Sequence, residues 1–480
     1  MDRPQKQDYH GWNSPEPIGL EYVASSLSSA GFKVCFVSQY EFVVSYPGVS
    51  QELSFVSGVT SEWPKIKKVA FDAKQAGRIV ILGGYHVCGY WENINDNNID
   101  YIVRGEGEDI AVVLAKIFLR NETVNFDRHN YNSGNLPVVI KAPVIDNINR
   151  LPFPMRSQKR IGKDILFDLM YPTRSLQNNT LIVLTSRGCK YNCDFCSSAT
   201  VWESGVRKRS CTNIISELRE IKERFGTNTI IIIDQSFGQE KGWTIEVCNE
   251  IKKAGIDINW YHQSNLGIDE ETIEAMAGAG CTKIGFGLEG LSEKTVKKVK
   301  AINPHSIDIV NNLFGLCRSK GMLVKAYTML GYPWETEDDV LEYKKFLKEL
   351  RANQIKISYA TPFPGTKYWD MYKDRLLTDD WAMFDTISMP VIRNDKISVE
   401  RYAQIRTELF RTFYGSESYS NTVKDMILTG KELGRDYTLS FREFEQYLRQ
   451  NGMLTGKEAW LDLVKAQAIE IKDRCAAISD

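Results

Sequence analysis

Six short apolar runs alternate with amphipathic segments across the middle of this chain of 480 residues. The runs lie at 181–185, 229–233, 256–261, 282–288, 323–330 and 355–360. The segments between them place apolar residues at helical spacing, at 212–225, 241–254, 269–279, 306–320 and 336–351. Short apolar runs that alternate with helices are typical of βα units, in which the strands run parallel. The pattern predicts an α/β domain over residues 181–380.

Residues 1–125 show a second alternation of the same kind. Helices are predicted at Ile18–Ala30 and Trp63–Gln75, and strands at Lys33–Val37, Leu53–Val56, Arg78–Leu82 and Tyr101–Val103. This order predicts an open parallel sheet of the Rossmann-like type, which binds its ligands at the carboxyl ends of the strands.

The remaining segments lack this alternation. Residues 126–180 are rich in Asn, Pro and Arg, which predicts a linker. Beyond residue 380 helical patterns dominate, as in Val399–Tyr414 and Trp460–Ala477. We therefore expect a helical C-terminal domain over 381–480, in which most of the aromatic residues belong to the core.

The composition argues against several classes of function. A net charge of −1 without a clustered basic patch argues against a nucleic-acid partner. No apolar run reaches the ~18 residues of a membrane span. Ten cysteines at irregular spacing do not make a disulfide framework. We expect a cytoplasmic protein that acts on a small molecule.

The segment Ser186–Ser197 carries the clearest chemical signal. Cys189, Cys193 and Cys196 follow an apolar run with the spacing CxxxCxxC. Three such thiolates can hold three irons of a [4Fe–4S] cluster and leave the fourth iron open to a ligand from outside the protein. The alternatives are structural cysteines and a zinc site, which would need a fourth ligand such as Cys211. The ligand count favours the cluster.

With the aromatic Phe195 before its last cysteine, the motif resembles the signature of the radical S-adenosylmethionine (SAM) superfamily. The resemblance implies a partial (βα)6 barrel over residues 181–380, with SAM bound to the open iron. It also implies an electron donor such as flavodoxin or ferredoxin. In the resembled family one electron cleaves SAM to methionine and a 5′-deoxyadenosyl radical that abstracts hydrogen.

Two strand ends resemble the SAM-binding segments of that family. Asp234 and Phe237 follow the run that starts at Ile230, where such barrels contact the SAM amino group, and a solvated turn aspartate is the alternative. The glycine-rich segment Ala279–Gly290 presents Glu289. It resembles the segment whose carboxylate accepts hydrogen bonds from the ribose or methionine part of SAM.

Two turns extend the resemblance. Gly331 and Pro333 belong to the sequence GYPWET, which resembles the GxPGET turn beside the adenine of SAM, with Trp334 in place of the second glycine. Thr361–Thr366, with the sequence TPFPGT, resembles a hallmark of one subgroup. This subgroup is related to magnesium-protoporphyrin cyclase and to methylthiotransferases.

The N-terminal region resembles the cobalamin-binding domain that is fused to many radical SAM enzymes. The resemblance rests on Pro17–Ala24, Phe55–Thr60, Gly83–His86 and Val103–Glu108. It implies that cobalamin is a second cofactor, with a pocket formed by Ser57, Thr60, Gly83, Gly84, His86, Gly105 and Glu106.

Two features depart from the cobalamin-binding pattern. The DxHxxG sequence that offers a histidine to cobalt is absent, since Asp8–Gly11 has its first two elements only. The apolar strand that normally precedes the first helix is also missing, because residues 1–16 are polar. Either the sheet has lost a strand or the start codon is misplaced.

Together the motifs predict a cobalamin-dependent radical SAM methyltransferase that acts on an unactivated carbon of a small metabolite or natural-product intermediate. A radical SAM cyclase, rearrangement enzyme or oxidoreductase without methyl transfer is the first alternative. A cobalamin-sensing or cluster-carrying binding protein is the second. The sequence names neither the substrate nor a catalytic side chain.

Overall fold

The computed structural model describes residues 17–124, 137–156, 180–202, 205–299, 306–433, 437–450 and 452–454. The first of its two large sheets consists, in spatial order, of β1 (Lys33–Ser38), β2 (Glu41–Ser45), β3 (Leu53–Ser57), β4 (Ile79–Gly83), β5 (Tyr101–Arg104) and β6 (Val138–Lys141). One face shares a hydrophobic core with α1 (Ile18–Ser29) and α4 (Glu108–Arg120), and the other with α2 (Trp63–Gln75). The short α3 (Tyr85–Tyr90) follows β4.

The first sheet differs from the expected parallel sheet at one edge. β1 and β2 form an antiparallel hairpin and β2 is antiparallel to β3, whereas β3 to β6 are parallel. Phe42 and Val44 of β2 are fully buried. β2 therefore completes the interior of the sheet between β1 and β3. Sequence reasoning misses β2 because the Gln39-Tyr40 turn contains none of the Gly, Asn or Pro residues that mark most hairpins.

The predicted linker over residues 126–180 is wrong in part. It contains β6, which pairs in parallel with β5 and so belongs to the first sheet. Further along, the buried Arg156 donates to Glu217 at 2.7 Å and to the carbonyl oxygen of Ile182 at 2.5 Å. The segment is therefore packed between the two sheets rather than laid over the surface. The rest of the predicted linker lies outside the described residues.

The second large sheet confirms the six predicted parallel strands, with a shift of three residues in the third. In spatial order they are β7 (Leu181–Val183), β10 (Thr229–Ile232), β11 (Asn259–Ser264), β12 (Cys281–Glu289), β13 (Leu323–Leu330) and β14 (Gln354–Tyr359). A ribbon of β8 (Ser186–Arg187) and β9 (Arg207–Lys208) lies beside it.

Helices cover one face of the second sheet. They are α6 (Cys211–Phe225), α7 (Lys241–Lys253), α8 (Glu270–Gly278), α10 (Ile307–Ser319) and α11 (Glu337–Glu349), as predicted. Two short helices, α5 (Ser198–Trp202) and α9 (Glu293–Val299), were not predicted. Serine and threonine side chains cap several of the long helices; Ser210, for example, accepts from the N–H of Asn213.

The C-terminal region is helical, with α12 (Lys367–Tyr372), α13 (Val399–Tyr414), α14 (Glu417–Glu432) and α15 (Thr438–Gln450). α13 confirms the predicted helix, and its buried aromatic residues belong to the core that the second sheet shares with its helices. The predicted helix Trp460–Ala477 lies outside the described residues. In the part of the chain that the structure describes, no helix is both long and apolar enough to cross a membrane.

Candidate functional site

The cysteine loop, residues 188–197, starts at the carboxyl edge of the second sheet. The ribbon strand β8 leads to Gly188, whose N–H donates to Gln235 Oε1 at 2.9 Å. Gly188 has a φ of +88°, and a Cβ at this position would lie 2.1 Å from the carbonyl oxygen of Gly205. Only glycine therefore lets the chain leave the ribbon in this direction.

The loop is fixed beside its first cysteine. The backbone N–H of Lys190 donates to Gln239 Oε1 at 3.2 Å, and the Lys190 ammonium donates to the Gln239 carbonyl oxygen at 2.8 Å. Cys189, Cys193 and Cys196 lie in this loop and form no disulfide bond with another described residue. Sequence reasoning missed both glutamines that hold the loop, Gln235 and Gln239, because a lone Gln after a strand carries no signal.

The three thiols suit the predicted cluster. Burial raises the pKa of Cys196 to about 11, and the proximity of Cys193 and Cys189 acts in the same direction. Iron would supply the positive charge that holds such crowded sulfurs as thiolates. Among the described residues no three His, Cys, Asp or Glu side chains converge on one point. A cubane does not require such convergence, because each protein ligand binds a different iron.

Asp234 has a role that the sequence did not predict. The carboxylate is buried and accepts from the Thr185 N–H at 2.7 Å, the Thr185 hydroxyl at 2.6 Å and the Ser186 hydroxyl at 2.5 Å. Burial raises its pKa. Asp234 therefore fastens the end of β10 to the strand that leads into the cysteine loop. It is therefore not the solvated turn residue that the sequence left open as the alternative.

Phe237 also differs from the expectation that it contacts SAM. Its ring is 1% exposed and packs edge-on against Trp260 and His262, with centroids 5.5 and 5.2 Å apart. The side chain therefore belongs to the core between sheet and helices. The turn after β10 directs Phe237 into the core. The sequence could not predict this, because residues in a loop follow no regular periodicity.

Glu289 ends β12 beside the cysteine loop. Its φ is +63°, a conformation that costs a non-glycine residue energy, and the pairing of β12 with β13 slips between Gly287 and Glu289. The Glu289 carboxylate contributes to raising the pKa values of Cys196 and Tyr332. Glu289, which the sequence predicts to bind SAM, is therefore close enough to Cys196 to affect the charge of that thiol.

The GYPWET turn is organised around a buried carboxylate. Glu335 Oε2 accepts from the N–H groups of Gly331 and Tyr332 at 2.8 and 3.1 Å, and its Oε1 accepts from the Tyr343 hydroxyl at 2.8 Å. Burial raises the pKa of Glu335 to about 7. Pro333 is half-exposed at the tip. Trp334 does not have a positive φ, so its backbone conformation does not require the glycine that the family motif has there.

The predicted cobalamin residues separate into two groups in the structure. Ser57, Gly83 and Gly84 are half-exposed at the carboxyl ends of β3 and β4. Gly84 has a φ of +99°, and a Cβ there would lie 2.4 Å from Ser57 Oγ. Gly83 has no such neighbour, since its Cβ would be 3.8 Å from the nearest atom, the carbonyl oxygen of Val103. The edge at Gly83 is therefore open to a bulky ligand.

Thr60 and His86 are buried with protein partners instead. Thr60 Oγ1 lies 3.4 Å from His86 Nδ1. Rings surround the imidazole, with the centroid of Trp63 at 4.6 Å and that of Trp381 at 5.0 Å. Burial lowers the pKa of His86 to about 4. Because Trp381 follows the second sheet in sequence, this aromatic cluster joins the two parts of the molecule.

Gly105 and Glu106 lie at the same junction. The Gly105 N–H donates to Cys88 Sγ at 3.3 Å. The buried Glu106 carboxylate accepts from Arg187 and Arg207 at 2.5 Å each and from the Ile145 N–H at 2.9 Å. Both carboxylate oxygens thus have protein donors, so the structure gives Glu106 an interdomain role in place of the predicted cofactor contact.

The junction is close-packed near the cysteine loop. A Cβ on Gly89 of α3 would lie 1.9 Å from the carbonyl oxygen of Pro364, in the TPFPGT turn. The Tyr85 hydroxyl accepts from Trp202 Nε1 at 2.8 Å. Burial raises the pKa of Tyr85 to about 12, and nearby Cys196 contributes. The predicted cobalamin edge and the cysteine loop therefore face each other.

Sequence reasoning also missed a polar layer on the face of the second sheet that is turned away from its helices, here called the inner face. It is formed by Tyr261, Gln263, Lys283, Lys325, Tyr327, Gln354 and Lys356. The available signal was the alternation of these residues with apolar ones within the strands.

This arrangement defines an α/β protein in which three cysteines and a strained glutamate meet at the carboxyl edge of a parallel sheet. Residues 183–347 match the model of the radical SAM superfamily. This part of the chain is therefore a radical SAM domain, and the protein is a radical SAM enzyme.

Relatives cover most of the chain. An uncharacterised methyltransferase of Pyrococcus horikoshii is 27% identical, over 83% of this chain and 87% of the relative. The bacteriochlorophyllide d C-8(2)-methyltransferase of Chlorobaculum tepidum is 22% identical, over 86% and 90%. An anaerobic magnesium-protoporphyrin IX monomethyl ester cyclase of Cereibacter sphaeroides is 22% identical, over 83% and 67%.

Solved structures share the fold. The radical SAM methyltransferase TsrM of Kitasatospora setae, with tryptophan and a SAM analogue bound, superimposes with a TM-score of 0.55 at 15% identity, over 83% of this chain and 88% of TsrM. The cobalamin-dependent radical SAM enzyme OxsB gives a TM-score of 0.53 at 15% identity, over 88% and 72%.

Proposed function

We propose that this radical SAM enzyme is a cobalamin-dependent methyltransferase that acts on an unactivated carbon of a small molecule. The observation that carries the proposal is the position of the cysteine loop. It lies at the carboxyl edge of the second sheet and faces the open edge of the first sheet at Gly83, so two cofactors could meet between the sheets.

Cys189, Cys193 and Cys196 would hold a [4Fe–4S] cluster. When bound, the cluster supplies the electron that cleaves SAM to methionine and a 5′-deoxyadenosyl radical. The residues of the chain position and enclose this chemistry. Gln235 and Gln239 fix the cysteine loop by their hydrogen bonds to Gly188 and Lys190.

Two further elements would bind SAM. Glu289 is an acceptor at the strand end beside the cysteines and suits hydroxyl or ammonium donors of SAM. Gly331 and Pro333 would lie beside the adenine, in a turn that the buried Glu335 holds rigid through two backbone hydrogen bonds. Such preorganisation limits the motion of bound SAM, which protects a radical from side reactions.

Cobalamin would lie against Ser57, Gly83 and Gly84 and, when bound, would supply the methyl group. Support comes from the open edge at Gly83 and from the fold shared with OxsB, two structures of which contain aqua-cobalamin. Methyl transfer is favoured because the relatives matched over 87% and 90% of their own length are named methyltransferases, whereas the cyclase relative is matched over 67% of its length. Cyclisation, as in the magnesium-protoporphyrin relative, is the second candidate.

The test is anaerobic purification with reconstitution, followed by quantification of iron, cobalamin and 5′-deoxyadenosine. We expect about four irons and about one cobalamin per chain. Cys193→Ala should lose iron and SAM cleavage, because two thiolates do not hold the cubane. Cys35→Ala is the matched control, since Cys35 is exposed on β1, and should behave as the unaltered protein does.

Each alternative gives a different result. Deoxyadenosine production by Cys193→Ala at the unaltered rate would contradict the proposal as a whole. Iron and SAM cleavage without cobalamin would indicate a cobalamin-free cyclase or oxidoreductase. Bound cobalamin without transfer of a deuterated methyl group from labelled SAM to any product would indicate ring formation or rearrangement.

A further inference from the structure

Arg104 ends β5, at the carboxyl edge of the first sheet, and is half-buried. Its Nε is buried and has no hydrogen-bond acceptor among the described residues. Two other arginines with a buried Nε of this kind, Arg120 and Arg375, form salt bridges with Glu122 and Asp395. Arg104 forms no salt bridge with a described residue. A half-buried cation without a protein counter-charge is the kind of group that an anionic ligand stabilises.

The indole ring of Trp91 orients the guanidinium of Arg104. The Arg104 Cζ lies 4.5 Å from the centroid of the Trp91 ring. Trp91 follows α3 directly and packs against the core that the first sheet shares with α2. A guanidinium that lies against a ring directs its N–H groups sideways, away from the ring, where two of them can bind two oxygens of one phosphate. The stacking therefore fixes the donors in advance of a ligand.

Arg104 adjoins the open edge at Gly83. β4 and β5 pair in parallel, with Leu82 opposite Ile102. Gly83 continues this register beside Val103, since a Cβ on Gly83 would lie 3.8 Å from the Val103 carbonyl oxygen. Arg104 is the next residue, about 3.3 Å further along the strand. A ligand that lies against Gly83 is therefore close to the backbone of Arg104 and within reach of its long side chain.

The charge of Arg104 is not cancelled by its titratable neighbour. Burial raises the pKa of the Cys88 thiol above its usual value, and the proximity of Arg104 offsets this only in part. Cys88 is therefore a neutral thiol at physiological pH. Arg187 and Arg207, which also lie at this junction, both bind the Glu106 carboxylate instead. Arg104 thus differs from these arginines in retaining its charge for a ligand.

We infer that Arg104, stacked on Trp91, binds a phosphate group at the carboxyl edge of the first sheet. Two ligands of the proposed reaction could carry this group. One is cobalamin, through the phosphodiester that joins its nucleotide to the corrin ring, and the other is a phosphorylated substrate. The inference rests on the proposed function only in taking this edge as a ligand site. A phosphodiester carries one negative charge, which balances the single charge of the guanidinium.

Binding of hydroxocobalamin and of cobinamide, which lacks the nucleotide and its phosphate, tests the inference. The full chain is reconstituted with iron and sulfide but without cobalamin, and corrinoid absorbance reports binding. For a phosphate of cobalamin, Arg104→Met should weaken the Kd of hydroxocobalamin at least tenfold and leave that of cobinamide within about threefold. Arg104→Lys should recover part of the loss, because it keeps the charge without the planar fork.

Further variants keep the comparison sound. Arg219→Met is the matched control, since Arg219 is exposed on α6, and it should bind both corrinoids like the unaltered protein. Arg104→Gln replaces Arg104→Met should the latter fail to fold. For a phosphate of the substrate, hydroxocobalamin should bind Arg104→Met normally. Titration calorimetry of the cobalamin-loaded protein should then show binding of inorganic phosphate that Arg104→Met weakens at least tenfold.

The outcomes separate the possibilities. Equal losses for both corrinoids would show that Arg104 supports the fold of this edge, and they would overturn the inference. Unaltered binding of both corrinoids and of phosphate by Arg104→Met would overturn it as well. Cobalamin binding that does not depend on Arg104, without any binding of phosphate, would contradict this inference alone. Phosphate binding that depends on Arg104 in a protein that binds no corrinoid would contradict the proposed cofactor alone.

Discussion

At the scale of single residues, Glu289 combines an unfavourable backbone conformation with a position at the site. Asn121 is the other described non-glycine residue outside the C-terminal part with a positive φ, and it caps a helix, where asparagine tolerates that conformation well. Glu289 is not at a helix end, and its φ of +63° occurs where the pairing of β12 with β13 slips. Strain of this kind is retained where a side chain must be presented in one direction.

Replacing Glu289 by glycine should separate stability from function. Relief of about 1 to 2 kcal/mol of strain is partly cancelled by the greater freedom of glycine in the unfolded chain, so we expect stability to change by about 1 kcal/mol or less. SAM binding should fall at least tenfold. Chemical denaturation and equilibrium dialysis with labelled SAM measure the two effects.

Asn121→Gly provides the matched control for this variant. It makes the same backbone change at a helix end remote in sequence from the cysteine loop, and it should leave SAM binding unaltered. Unimpaired SAM binding by Glu289→Gly would show that the strained glutamate serves the fold rather than the cofactor.

At the scale of elements, the turn after β4 contains two glycines that serve different purposes. Gly84 allows the loops after β3 and β4 to touch, since any side chain would meet Ser57 and the backbone of Gly58. Gly83 has room for a methyl group within the protein. Sequence analysis assigns both glycines to one pocket, but in the structure Gly84 allows close packing and Gly83 lies at the open edge.

Alanine substitutions at the two positions should affect different properties of the protein. Gly84→Ala should destabilise the protein by about 2 to 4 kcal/mol, because it combines a positive φ with a steric clash. Gly83→Ala should change stability by less than about 1 kcal/mol but reduce the cobalamin content after reconstitution. Thermal denaturation and the absorbance of extracted cobalamin measure these results.

The two variants control each other. Full cobalamin content in Gly83→Ala would show that the ligand does not approach this turn. Similar losses of stability in both variants would show that the turn is close-packed throughout and has no open edge.

At the scale of the whole molecule, buried polar residues join the two sheets. Glu106, which follows β5 of the first sheet, forms salt bridges with Arg187 and Arg207 of the ribbon beside the second sheet. His86 packs against Trp381. Burial keeps His86 neutral by lowering its pKa from 6.5 to about 4. The unfolded chain therefore binds a proton at a higher pH than the folded chain does, so stability is lost as the pH falls from about 6.5 towards 4.

Replacing His86 by phenylalanine should remove this part of the acid sensitivity. A difference of about 2.5 pKa units corresponds to about 3 kcal/mol, so the unaltered protein should lose up to that amount more than His86→Phe between pH 6.5 and pH 4. Urea denaturation at a series of pH values, followed by tryptophan fluorescence, measures the difference. Trp63 and Trp381 report directly on this cluster.

The same variant also tests the role of His86 at the junction. If its stability depends on pH as steeply as that of the unaltered protein, His86 is not buried in a neutral form. A loss of cobalamin with an unaltered pH profile would support the predicted cofactor contact instead.

The sequence by itself determined the strands of the second sheet and the place of the cysteine loop. The residues of a parallel strand are either apolar throughout or alternate between apolar and polar, so the sequence reveals the strand. Three cysteines within eight residues must lie close together because the chain itself connects them. The superfamily follows from the same short-range pattern.

Only the tertiary structure decided the roles of Asp234, Phe237 and Glu106. Each follows a strand, as ligand-binding residues do, yet each is turned inward towards partners that are distant in sequence, such as Thr185 and Arg187. The interior strand β2 and the lysines of the inner face were hidden for the same reason. Which face of a strand or turn is buried depends on what packs against it, and that is settled by contacts between distant segments.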